Sequence, residues 1–345
     1  MKRVVVAMSG GVDSSAAALL LRREGFDCRG VMLWLFGDTE PPAAEGARRV
    51  AEALSMPFTL IDAREVFRRT VTEPFAADYA AGLVPNPCVR CNRAVKFGFL
   101  ADCMRESGAD MLATGHYARL VGEGSARRLL RAADPEKDQS YFLHILPREL
   151  LHRLCFPLGD FADKSEVRAL VREAGLPTAE RKDSQDICFV EDGDYAAYLR
   201  RQGVSFRAGD FVDAAGRPLG RHKGLPAYTR GQRKGLGVSA GERLYVLSKD
   251  SEKNTVLLGR EKDLYTDTLW ADGANWLTDP PAEPLTVTAK TRYSRSEAAA
   301  TVYPPENGLW RVTFSEPQRA VTAGQSVVFY RGEEVLGGAV IRITE

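Results

Sequence analysis

The sequence contains no run of about eighteen or more apolar residues, so no segment of it reads as a membrane-spanning helix. Its first residues, MKRVVVAMSGG, lack the apolar core and cleavage site of a signal peptide. The expectation is a soluble, cytoplasmic protein with no membrane partner. An excess charge of either sign is also missing, because 47 Lys and Arg face 46 Asp and Glu. A bound polyanion would therefore have to meet positive charge gathered locally. Histidine is scarce, at four residues without metal spacing, which argues against a zinc centre. Six cysteines in a reducing compartment read as buried fillers, metal ligands or reactive thiols before structural disulfides.

At 345 residues the chain exceeds one ordinary core, and its pattern changes twice. Up to about residue 203, short apolar runs alternate with amphipathic segments: VVVAM, SSAAALLLRREG, CRGVMLWLF, AAEGARRVAEALS, PFTLIDA and ADMLATG. This alternation predicts an α/β domain, a Rossmann-like parallel sheet with helices on both faces, over residues 1–203. Glycine-rich hairpin patterns such as GDFVDAAGRPLG and RLYVLSKDSEKNTVLLG define a small β-rich central domain over 204–263. Period-two segments separated by turns predict a C-terminal β-barrel over 264–345, with TDPPAEP as a loop inside it. No internal repeat is found.

In the first turn, VVVAM runs into SGGVDSS and then into a helical segment. Glycines there allow a tight turn and close approach of a ligand, while the helix N-terminus offers free N–H groups and a positive dipole end. The plain alternative is an ordinary strand-to-helix turn with a serine or aspartate cap. The G-x-x-x-x-G-K-[ST] lysine of a Walker loop is missing. SGGVDSS resembles the PP-loop of the ATP-pyrophosphatase superfamily. That resemblance implies ATP binding by Ala7, Met8, Ser9, Gly10, Gly11, Val12, Asp13, Ser14 and Ser15, with Asp13 helping to position Mg²⁺.

Four further stretches, NPCVRCNRAVKF, ATGHYAR, KDQSYFL and KDSQDICFV, together with GQRKGLG and KTRYS, resemble the tRNA-specific 2-thiouridylases. The family's members replace the C2 oxygen of the wobble uridine with sulfur, using ATP to adenylate that oxygen. The resemblance implies Cys91 as nucleophile and Cys188 as persulfide carrier, with Asp13 beside them in the catalytic set, and Leu33 and Gly115 in the adenosine pocket. It places Asn86, Pro87 and Cys88 at the target base, and Lys137, Asp138, Gln139, Arg292 and Tyr293 on tRNA. It further implies tRNA and a sulfur donor as partners, the donor being a sulfur-relay protein, a cysteine desulfurase or sulfide.

The chemistry suits these residue types. Two thiols brought together can pass sulfane sulfur, one carrying it as a persulfide and the other releasing it by disulfide formation. Cys28, Cys103 and Cys155 read instead as core residues. Cys88 departs from the family pattern, which has aspartate there; the resulting C-x-x-C pair leaves a second route open, a [4Fe–4S] cluster held by Cys88, Cys91 and Cys188. His116 reads as a cap or packing residue. Arg230, Arg233 and Lys234 supply a local positive patch among glycines. Two rivals stand beside this reading: another PP-loop synthetase, which would not need the cysteines, and an RNA-binding module holding a metal or cluster without sulfur transfer.

Overall fold

The computed structural model describes residues 1–181, 187–190, 193–239, 241–294 and 296–344. The first strand, β1 (Arg3–Ala7), is the centre of a five-stranded sheet because its RVVVA sequence is β-branched and buried on both faces. On one side lie β2 (Asp27–Trp34) and β3 (Phe58–Asp62), reached through α1 (Val12–Arg23) and α2 (Pro42–Ala53). On the other side lie β4 (Met111–Ala113) and β7 (Leu154–Cys155). All four pairings are parallel, with Val5 opposite both Arg29 and Leu112. The strand order β3-β2-β1-β4-β7 reverses direction at β1, so the carboxyl ends of β1, β2 and β4 border a crevice.

The two helical stretches between β3 and β4 are not regular. The first runs from α3 (Arg64–Phe67) through a π-helical stretch, Arg68–Thr72, into α4 (Glu73–Ala80). The second runs from α5 (Pro87–Cys91) through another π stretch, Asn92–Phe99, into α6 (Leu100–Glu106). In both, turns widen to i→i+5, a change that local sequence periodicity does not register.

A hairpin of β5 (Arg119–Val121) and β6 (Arg128–Leu130) leaves the N-terminal domain and joins the edge of the C-terminal sheet, where Leu130 pairs with Glu334. The sequence pattern does not anticipate this exchange. After it come α7 (Ser140–Leu143), α8 (Lys164–Glu173) and α9 (Tyr195–Arg201). The central domain pairs β8 (Gly209–Val212) with β9 (Pro218–His222) and β10 (Tyr245–Asp250) with β11 (Thr255–Gly259), as the two hairpin patterns predict.

In the last domain, β12 (Tyr265–Trp276), β13 (Leu285–Lys290), β14 (Ala298–Val302), β15 (Trp310–Arg319), β16 (Ser326–Arg331) and β17 (Glu334–Thr344) form a barrel. Pairing of β12 with β17 closes it, and the β5–β6 hairpin continues the sheet outward from β17. Among the described residues no helix is long and apolar enough to cross a membrane.

The barrel core centres on Phe329, fully buried, with the Trp276 ring stacked on it at 5.3 Å. Phe329→Ala should destabilise the protein by about 3–5 kcal/mol through lost burial and a cavity. Urea unfolding checks this, and a loss below about 1 kcal/mol would mean that the barrel collapses around the gap.

Candidate active site

The turn between β1 and α1 has the geometry of an anion cradle. Gly10 sits at φ +70°, and a Cβ there would stand 2.3 Å from the Ala43 carbonyl oxygen, so only glycine fits. Gly11 is the N-cap of α1 and supplies no side-chain cap, which leaves the first N–H groups of the helix open to a ligand. The hydroxyls of Ser14 and Ser15 turn inward. Ser14 Oγ donates to the Gly11 carbonyl and accepts from the Ser9 N–H, both at 3.1 Å, while Ser15 Oγ donates to the same carbonyl at 2.9 Å. These bonds fix the loop's shape.

Asp13 lies in the first turn of α1 and meets two donors, Tyr117 Oη and Lys164 Nζ, each at 2.9 Å. Gly115, just after β4, packs so closely that a Cβ would lie 2.7 Å from the Asp13 carbonyl carbon and 2.9 Å from the Ser14 nitrogen. On the other flank, the Met8 N–H bonds the Val31 carbonyl at 2.8 Å, and Ala7 pairs with Val31, two residues before Leu33. Ala7, Met8, Leu33 and Gly115 thus surround the crevice mouth.

Next to it lie three thiols. Asn86 caps α5 through an Oδ1 bond from the Cys88 N–H at 3.1 Å, and buried Pro87 occupies the first helical position. Cys91, 8% exposed, joins a core cluster with Phe67, Phe75, Phe189, Val190 and Tyr198. Phe189 and Val190 directly follow Cys188, so the cluster ties the two cysteine loops together. Lys182 to Asp186, the first half of KDSQDICFV, lie outside the described residues. Burial pushes the Cys91 thiol up, Lys96 draws it down and Cys88 pushes it up again. Cys188 is raised by burial and by Cys91 and Cys88, against Lys96. Cys88 and Cys188 are exposed, so water tempers the effect there, whereas Cys91 bears it in full. Cys28 and Cys155, far from this group, are each raised to about 11 by burial, as core residues should be.

Burial raises all three thiols, and Cys91 and Cys188 are raised further by their thiol neighbours. Among the described residues no group of three or more Cys, His, Asp or Glu is arranged to hold a metal ion. His116 is buried, its Nδ1 2.7 Å from Thr114 Oγ1, and burial holds its pKa well below the usual value, which favours the neutral ring.

Three family models match the chain in succession: the tRNA methyl transferase HUP domain over residues 2–192, the tRNA methyl transferase PRC-barrel domain over 198–260 and the aminomethyltransferase beta-barrel domain over 266–341. A protein of Pelobacter propionicus named tRNA-specific 2-thiouridylase MnmA is 46% identical, covering 98% of this chain and 97% of its own. The protein of that name from Chloroflexus aurantiacus is 46% identical over 99% and 98%. One from Acidithiobacillus ferrooxidans is 45% identical over 100% and 99%. The chain belongs to the tRNA-specific 2-thiouridylase family.

Within this thiouridylase framework the expected RNA-facing residues divide. Arg292, Arg233 and Lys234 are exposed, and Tyr293 is 49% exposed with its ring 4.5 Å from Phe142. Lys137 is half-buried. Asp138 is buried, accepting from the Ala132 and Ser140 N–H groups at 3.1 Å and from Ser140 Oγ at 2.9 Å. Gln139 Oε1 accepts the Tyr117 N–H at 3.0 Å. The Gln139 side chain therefore braces the turn beside Gly115, while that of Asp138 ties Ala132 to the start of α7. Arg230 is half-buried and donates to the Leu247 carbonyl at 2.8 Å. Sequence reasoning missed Tyr117 and Lys96, although both lie in the quoted stretches ATGHYAR and NPCVRCNRAVKF, and it missed Lys164 and Arg181, whose contacts with the loop arise only in the folded chain.

Alkylation of the folded protein with iodoacetamide at pH 8 should modify Cys88 and Cys188 first, Cys91 roughly tenfold more slowly, and Cys28 and Cys155 last. Because the three site thiols are raised, their rates should still be climbing between pH 8 and 9.5. Mass spectrometry of the labelled peptides checks both points, and rates already level below pH 8 would contradict the electrostatic account.

Proposed function

We propose that the protein carries out ATP-dependent 2-thiolation of the wobble uridine of tRNA, forming 2-thiouridine, AMP and pyrophosphate. The observation that carries this reading is the convergence of an uncapped, glycine-built helix N-terminus and two cysteine loops at the carboxyl edge of one parallel sheet. Full-length similarity to proteins named for that activity supports it.

The first N–H groups of α1 and the backbone from Ala7 to Ser15 bind the phosphates, while Leu33 and Gly115 border the adenosine. Asp13 keeps lone pairs beyond its two hydrogen bonds, so its carboxylate fits a role in holding Mg²⁺, which when bound neutralises phosphate charge. The flipped uracil enters beside Asn86, Pro87 and Cys88. Its C2 oxygen attacks the α-phosphate and pyrophosphate departs, which turns a poor leaving group into AMP.

Cys188 carries a persulfide whose sulfane sulfur comes from an external persulfide, on a sulfur-relay protein or a cysteine desulfurase, with the donor's cysteine leaving as a thiol; sulfide, already reduced, would instead attack C2 directly. The Cys91 thiolate attacks Cys188 Sγ, forming a Cys91–Cys188 disulfide and releasing hydrosulfide, which attacks C2 and displaces AMP. Two external thiols, or one dithiol, return the two electrons, leave as a disulfide and restore both cysteines. A cavity of about 880 Å³ at the carboxyl ends of β2 and β3 borders Phe189 and so gives the Cys188 loop a solvent approach. Arg292, Tyr293, Arg233, Lys234 and Lys137 form the tRNA-facing surface, through phosphate contact and base stacking. The site lies in the cytoplasm, where tRNA and reducing thiols are both present.

Cys91→Ser and Cys188→Ser should each lower 2-thiouridine formation by about a thousandfold or more, while tRNA affinity stays within about twofold. Nucleoside mass spectrometry of tRNA incubated with Mg-ATP and a persulfide donor checks this. Full activity of either variant would sink the two-cysteine mechanism.

A further inference from the structure

Helix α5 carries two thiols within one turn, Cys88 and Cys91, and the sulfur transfer above uses only the second. We infer that Cys88 is a third working cysteine: after each transfer it attacks Cys91 Sγ, forms a Cys88–Cys91 disulfide and frees Cys188 to take the next persulfide. The inference rests on the two-cysteine mechanism above and adds a step to it.

The local fold leaves the two thiols as neighbours. Asn86 caps α5 by accepting the Cys88 N–H, and Pro87 occupies its first position, so the backbone at Cys88 is set. Both residues between the cysteines are committed elsewhere. Val89 is buried, and Arg90 Nη2 donates to Asp78 Oδ2 of α4 at 2.7 Å. Residues three apart on a helix stand about 5–6 Å apart at Cβ, whereas a disulfide needs about 3.5–4.5 Å. A modest tightening of this one turn joins the sulfurs.

Exposure gives the three thiols different partners. Cys91 is 8% exposed and packs in the cluster that holds Phe189 and Val190, while Cys88 and Cys188 are exposed. A reductant in solution therefore meets Cys91 last. Cys88 needs no path from solvent, because it attacks from the same helix, at an effective concentration far above that of a free thiol. The three are close enough to feel one another: Cys88 pushes the Cys91 thiol up, and both push Cys188 up. Contact with the target base would account for an exposed side chain at position 88. It would not account for a thiol there.

The step is a thiol–disulfide exchange. The Cys88 thiolate attacks Cys91 Sγ, the Cys88–Cys91 bond forms and the Cys91–Cys188 bond breaks. The Cys188 thiolate leaves and takes up the proton that Cys88 gave up, so no electrons enter or depart. An external dithiol then attacks the exposed Cys88 Sγ, reduces the new disulfide and departs oxidised.

The test maps disulfides after one turnover. Wild type, Cys88→Ser and Cys88→Asp, the last restoring the residue of the family pattern, are each checked by a melting curve, loaded with persulfide and freed of donor. Each is given Mg-ATP and excess tRNA without reductant, then quenched in acid, alkylated and mapped by peptide mass spectrometry. Wild type should show a Cys88–Cys91 disulfide and alkylated Cys188, in step with the 2-thiouridine formed. Both variants should stop at Cys91–Cys188, and added dithiol should reopen that bond about tenfold or more slowly than the wild-type one. A wild-type map showing Cys91–Cys188 or Cys88–Cys188 in place of Cys88–Cys91 would overturn the inference and leave the two-cysteine mechanism standing; this map decides even where a variant fails to fold. Formation of 2-thiouridine with no disulfide in the wild type would overturn that mechanism, and the inference with it.

Discussion

The turn that leaves β4 and the first turn of α1 touch at Gly115, where there is no space for a methyl group. Much of the site's geometry follows from that contact. It sets where the open N–H groups of α1 point and brings Tyr117, two residues later, within 2.9 Å of the Asp13 carboxylate. Gln139 then clamps the same turn from behind by holding both polar groups of the Tyr117 backbone. A small displacement here would reorient the cradle and the cation beside it together, which is how a packing constraint becomes a chemical one.

The C-terminal barrel is tied into this arrangement rather than merely attached. The β5–β6 hairpin extends its sheet, and α7 is pinned against it by Tyr141, whose hydroxyl donates to the Ser326 carbonyl at 2.9 Å. Asn275 of β12 donates to the His144 and Leu146 carbonyls at 2.7 and 2.9 Å. On the other side of the same segment, the Asn92 amide, next to Cys91, donates to the Phe142 carbonyl at 3.0 Å. One short segment thus lies between the helix that carries Cys91 and the barrel that presents Arg292 and Tyr293. The surface proposed to face RNA and the thiols proposed to handle sulfur are joined through it.

Much of this was legible in the sequence. β1 and the SGGVDSS turn announce themselves because strand, glycines and helix follow one another without interruption, and the two central hairpins because their turn residues mark them. Cys91 and Cys188 stood out through their polar surroundings and the family resemblance; that their loops meet in one aromatic cluster was a matter of tertiary packing. The contacts of Lys164 with Asp13 and of Arg181 with Gly10 were hidden because the partner of each is more than a hundred residues away. Asp138 and Gln139 show the opposite difficulty. Polar side chains near the surface in sequence turn out to satisfy buried backbone groups, a demand that only the folded chain creates.

The central claim is that ATP activates the uracil C2 oxygen, and an isotope experiment addresses it directly. tRNA carrying ¹⁸O at C2 of the wobble uridine is converted with Mg-ATP and a persulfide donor, and the nucleotide products are weighed by mass spectrometry. The account predicts the label in the phosphate of AMP, in step with the 2-thiouridine formed. Label in pyrophosphate or in released water, with unlabelled AMP, would contradict it.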